Sequence, residues 1–97
     1  MTERVPCRTP NPDKTGVTNV PAWKFDACRA AICTVLARGE TPAGEVASRA
    51  GAQLTEPQRA ELGSLGWHMT TVRLEMEVRG EIERVPGATP LRLRLTG

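Results

Sequence analysis

The run Met76-Glu77-Val78-Arg79-Gly80-Glu81-Ile82-Glu83-Arg84-Val85 decides the fold. Leu65, Met69, Val72 and Met76 recur at three and four residues, so a helix arrives at Met76 with one apolar stripe. Gly80 provides the left-handed position that commonly ends a helix. Ile82 then returns to the core in a strand over Glu81 to Val85. The helix is predicted from Trp67 to Arg79. Trp67, Leu74 and Val78 form a second apolar set on nearly the opposite side of it.

Downstream, Pro86-Gly87-Ala88-Thr89-Pro90 has turn composition. Leu91, Leu93 and Leu95 alternate with Arg92 and Arg94, the period of a half-buried strand. The two strands make a hairpin with a longer loop. Upstream, Gly63-Ser64-Leu65-Gly66 reads as a break. Thr55 followed by Gln58 is a capping box opening a short helical turn through Leu62. Thr41 is expected to cap a helix with Pro42 at its first position, running to about Ala50 and ended by Gly51. Ala22 to Arg38 reads as a longer helix, with Phe25, Cys28, Ile32, Val35 and Leu36 on one face. Trp23 points away from that face beside small Ala27, Ala30 and Thr34, where a second surface can pack.

Residues 1–21 carry four prolines and form an N-terminal arm. Asn11-Pro12-Asp13-Lys14-Thr15-Gly16 has turn chemistry. Val5 and Cys7 can pair with Val17 and Val20 in a short hairpin, and a loose extended arm is the alternative. The domain proper spans residues 22–97. A chain of 97 residues is one small domain with a thin core. No stretch approaches the roughly 18 apolar residues of a membrane span. Met1 to Pro6 lacks an apolar signal core, so a cytoplasmic protein with no membrane partner is expected.

Net charge is +2, too small to imply nucleic acid by itself. Its distribution says more. Arg73 to Glu83 carries two arginines and four glutamates, whereas Arg84 to Gly97 carries three arginines and no acid. Cys7, Cys28 and Cys33 are odd in number and fit free thiols. Five positions on a helix separate Cys28 and Cys33 by roughly 140° about the axis, so they do not converge on one ion. No metal and no cofactor is expected. One histidine, with no nucleophile motif beside a base, gives no catalytic set. Glu75 and Glu77 stand two apart on a helix and face different ways. An enzyme is not expected, and no small-molecule substrate is inferred.

The Met76–Val85 run resembles the L-E-x-x-G-x-I-x-R junction between recognition helix and wing in bacterial winged-helix regulators. Gly66-Trp67-His68 through Arg84-Val85-Pro86-Gly87, with an arm like Pro10-Asn11-Pro12 through Gly16, is also similar to a small family of uncharacterised bacterial winged-helix proteins. The resemblance implies an α+β fold, a winged helix-turn-helix with a three-helix core and a C-terminal two-stranded wing. It also implies which residues would face double-stranded DNA. Thr70, Thr71 and Arg73, with His68, would approach bases. Arg84, Arg92 and Arg94 on the wing would hold backbone or minor groove.

Two features of the residues pull the other way. Glu75, Glu77, Glu81 and Glu83 would repel a polyanion, or else form a solvated face supported by Arg79. Trp67, Leu74 and Val78 would put an apolar set where a recognition helix should be polar. DNA binding in transcriptional regulation is the expected function. The alternative is a non-catalytic winged-helix protein-interaction or dimerisation module that does not bind DNA. On that reading Trp23, Trp67, Leu74 and Val78 form the interface, with a homodimer or another protein as partner. His68 and the two tryptophans also have ordinary readings, as polar surface and as packing.

Overall fold

A computed structural model describes residues 3–10 and 16–96. The turn expected over residues 11–15 lies outside the described residues. The chain runs β1 (Arg4–Cys7), β2 (Thr18–Pro21), α1 (Ala22–Leu36), β3 (Thr41–Pro42), α2 (Ala43–Gly51), α3 (Glu56–Leu62), α4 (Leu65–Val78), β4 (Ile82–Arg84) and β5 (Arg92–Leu95). The described residues form an α+β protein with four helices and two small antiparallel sheets.

The apolar spacing read from the sequence is what packs. Phe25, Cys28, Ile32 and Leu36 of α1 meet Val46 and Ala50 of α2, Leu62 of α3, and Met69, Val72 and Met76 of α4 in one buried core. Ile82 and Leu93 close it from the sheet. Each Val, Leu, Ile, Phe or Met among them contributes roughly 1.5–3 kcal/mol by leaving water. With a core this small, every one of them matters.

The caps explain where the helices stop. Thr55 Oγ1 accepts from the Gln58 N–H at 3.3 Å, and Gln58 Oε1 accepts from the Thr55 N–H at 2.9 Å, completing the expected capping box. Past Val78, Gly80 has φ of 75°. The Gly80 N–H donates to the Glu77 carbonyl at 3.1 Å and the Glu81 N–H to the Met76 carbonyl at 3.0 Å. This pair of bonds is a Schellman motif, and it turns the chain from α4 into β4.

Four local expectations change. Thr41 does not cap α2, because its backbone pairs with Leu93 in β3 and its hydroxyl donates to the Gly39 carbonyl. Pro42 takes the cap position, and the Leu91 carbonyl accepts the first helical N–H, that of Ala43, at 2.8 Å. Gly51 does not end α2 but lies in its last turn, buried, where an added Cβ would stand 2.7 Å from Leu65 Cδ2. Its smallness lets α4 approach. Leu65 and Gly66 belong to α4, whose cap is Ser64, the side chain accepting from the Trp67 N–H at 3.3 Å.

The N-terminal residues do form a hairpin, with Val5 opposite Val20 and Cys7 opposite Thr18. Cys7 and Val20 are buried in the main core, so the arm is part of the globule. In the second sheet β5 lies between β3 and β4. β3 had no counterpart in the sequence reading. Among the described residues no helix is long and apolar enough to cross a membrane.

Candidate functional site

Met69, Val72 and Met76 turn α4 inward. Helical geometry then sends Thr70, Leu74, Trp67 and Val78 outward together. Trp67 is 49% exposed, Thr70 is exposed, and Thr71, Leu74 and Val78 are half-buried. The outward face of α4 therefore carries the second apolar set, as its spacing implied. At its N-terminal end the Trp67 and His68 rings meet edge to face, with centroids 4.8 Å apart. His68 Nδ1 lies 2.6 Å from the Ser64 carbonyl oxygen, which places the proton on that nitrogen. His68 is thereby occupied within its own helical turn.

The arginines assigned to DNA stand on α4, β4 and β5, and each has a carboxylate within 4.0 Å. Arg73 donates to Glu77 Oε2 at 3.0 Å and Arg84 to Glu77 Oε1 at 2.7 Å. Arg94 lies 3.5 Å from a Glu83 oxygen and 4.0 Å from one of Glu40. Arg92 lies 3.7 Å from Glu40 and donates to the Glu40 carbonyl at 3.2 Å. The Glu77 side chain is only 6% exposed, so it is a fixed anion under two guanidiniums. Burial pulls the Arg73 pKa down from its ordinary value, with Glu77 opposing the shift. A guanidinium remains charged through such a change.

Glu75 is not part of this surface. It is 1% exposed. Its Oε1 accepts from the Arg8 backbone N–H at 2.7 Å and from Arg8 Nε at 3.0 Å. Its Oε2 accepts from a terminal Arg8 nitrogen at 2.8 Å and from Arg79 Nε at 2.7 Å. Burial pushes its pKa up, but these hydrogen bonds outweigh that and hold the carboxyl down at about 2. Arg79 also stacks over Phe25, 4.8 Å from the ring centroid. Glu75 is the anchor that binds the N-terminal hairpin to α4. Arg29 grips Glu81 with two bonds of 3.0 and 2.8 Å, tying α1 to the bend after α4. The glutamate run is thus a set of structural partners, and only Glu83 in it has the exposure of a solvated face.

Trp23 stands elsewhere, 41% exposed on α1, with Lys24 Nζ 5.7 Å from its ring centroid. That Nζ donates to the Leu62 carbonyl at 3.1 Å, satisfying an end group of α3. Trp23 belongs to a surface of its own.

The partners Glu40, Glu77 and Glu83 were not foreseen for the arginines. The four-residue step from Arg73 to Glu77 is readable in a helix. Arg84 with Glu77 depends on the bend at Gly80, Arg94 with Glu83 on the register of β4 against β5, and the Glu40 pairs on β3 lying beside β5, so local spacing did not reveal them.

Over the described residues, an α+β domain with four helices, in which the arginines of α4, β4 and β5 are paired with glutamates, is the class these features define. The chain belongs to DUF6958, a family of unknown function whose model matches residues 4–93. No curated protein and no solved structure matches it.

Proposed function

We propose that this chain is a non-catalytic winged-helix domain that works by contacting a protein through the outward face of α4. The fold assignment is supported by the helix order, by β5 lying between β3 and β4, and by the turn of α4 into β4 at Gly80. The functional reading is carried by one observation. The four arginines that would meet DNA each have a glutamate within 4.0 Å, while Trp67 stays exposed on α4. A duplex would have to compete with Glu77, which is fixed and nearly buried, and the freed carboxylate would then face phosphate. A protein surface of matching apolar shape meets no such penalty, and Trp at the centre of a patch is a frequent anchor.

The test is a photo-crosslinking residue in place of exposed Thr70, used in the producing cell. The reading expects a protein adduct, and expects Leu74→Glu to abolish it without changing the melting temperature. A nucleic-acid adduct would contradict it.

The second reading is DNA binding in transcriptional regulation, favoured by the exposed turn 86–90 with Arg84 on one side and Arg92 and Arg94 on the other. Exposed ion pairs are worth roughly 0–1 kcal/mol, so Arg92 and Arg94 can exchange a glutamate for phosphate.

A further inference from the structure

A row of hollows lies along α1, lined by none of the α4 residues and none of the arginines discussed above. Its first hollow, of about 280 Å³, is bounded by Trp23, Pro57, Gln58 and Glu61. The next, of about 190 Å³, lies over Ala27, Ala30 and Thr34, with Gln58 and Leu54 across from them. Gln58 borders both, so the two are adjacent. Gln53 borders the second and a third hollow beyond it, which contains Arg38. One stripe of α1 thus presents a large exposed indole near its start and a hollow floored by small side chains towards its end.

The charges are also divided along its length. Asp26 and Glu61 stand at the tryptophan end, Arg38 at the other, and all three are exposed. None of the three makes an ion pair within 4.0 Å among the described residues. The arginines of α4, β4 and β5 have carboxylate partners, and Arg38 has none among the described residues.

A surface with both knob and hole on one helix complements itself when a second copy is turned by a two-fold axis. Trp23 and Thr34 are eleven residues apart, about 16 Å along the helix. Antiparallel placement of two α1 helices puts each knob at the other copy's hole, and turns the Arg38 end of one towards the Asp26 and Glu61 end of the other. The flooring alanines allow close approach, and Lys24, occupied at Leu62, does not obstruct it. We propose that this groove is a self-association surface, in which Trp23 of each copy enters the hollow over Ala30 and Thr34 of the other and Arg38 of each meets the acidic end. It is independent of the role given to α4.

The test is sedimentation equilibrium of the full chain over a wide concentration range. A reversible dimer is expected. Ala30→Arg fills the hollow from an exposed helix position and should weaken association about thirtyfold or more, as Trp23→Ala should, because a central anchor is lost. Arg38→Glu should weaken it, Glu61→Arg should weaken it, and the two together should restore it. Thermal melts of each variant check folding, and Leu74→Glu should leave the dimer intact. A monomer at every concentration up to about 1 mM, the weak end of specific binding, would overturn the proposal. So would a dimer indifferent to Ala30→Arg, or one dissociated by Leu74→Glu alone. Capture of a different protein by this groove in a chain that stays monomeric would also overturn it.

Discussion

Arg84 donates to Glu77 Oε1 at 2.7 Å, across the bend that Gly80 makes between α4 and β4. The first arginine of the hairpin is therefore tied to the helix it follows, and the second oxygen of that carboxylate holds Arg73. Glu77→Gln should release both cations. The variant is expected to gain weak, sequence-independent affinity for duplex DNA, with a log–log salt slope of about −1.8 for two phosphate contacts. Fluorescence anisotropy of a labelled duplex measures it. A variant as inert as its parent would show that these pairs are not what keeps DNA away.

Glu75 should dominate the acid limb of stability. Its usual value near 4.5 falls to about 2 in the fold. A depressed carboxylate contributes stability above its unfolded value and loses it as pH falls through the folded one. Unfolding free energy should thus decline between about pH 5 and 2 by up to about 3 kcal/mol. Glu81, lowered chiefly by its bonds to Arg29, adds in the same direction. Glu75→Gln should cost about 3 kcal/mol at neutral pH, because it strips the anion from two arginines. It should also flatten the acid limb. Urea unfolding across a pH series checks both, and an unchanged acid limb in the variant would remove Glu75 from this role.

Gly80→Ala should destabilise by about 1 kcal/mol, since a residue with a Cβ resists φ of 75°. That corresponds to a fall in melting temperature of roughly 4–8 °C for a chain of this size. A neutral substitution would mean the bend tolerates another conformation.

The thiols should label in a fixed order. Cys33 is half-buried, whereas Cys7 and Cys28 are buried. Burial pushes Cys28 up to about 11, with Lys24 opposing, and raises Cys7 with help from the Glu75 charge. Because the thiolate is the reactive form, Cys33 should react with a maleimide at pH 7 well before the other two. Peptide mapping by mass spectrometry reads the order, and Cys28 labelling first would contradict this packing.

The helices were legible because local spacing and caps determine them. Phe25 to Leu36 and Leu65 to Met76 show the period, and Thr55 with Gln58 shows the cap. The Gly80 bend was legible for the same reason. What escaped depends on contacts distant in sequence. β3 is two residues whose partner, Leu93, lies 52 positions on, so Thr41 looked like a helix cap. Glu75 looked like an exposed acid because its main partner, Arg8, lies 67 residues earlier. Gly51 looked like a stop because its neighbour Leu65 arrives only in three dimensions. The outward set Trp67, Leu74 and Val78 was readable by angle, as is the helical step from Arg73 to Glu77, but the partners of Arg84, Arg92 and Arg94 were not.

The most direct measurement is a titration of the unmodified chain against random-sequence duplex DNA from low to physiological salt. The account predicts no binding with steep salt dependence, because Glu77 holds Arg73 and Arg84 and a duplex at Arg92 and Arg94 would lie against the carboxylates of Glu40 and Glu83. Tight binding at low salt that falls steeply as salt rises, and that disappears when Arg84, Arg92 and Arg94 are replaced by alanine, would contradict it.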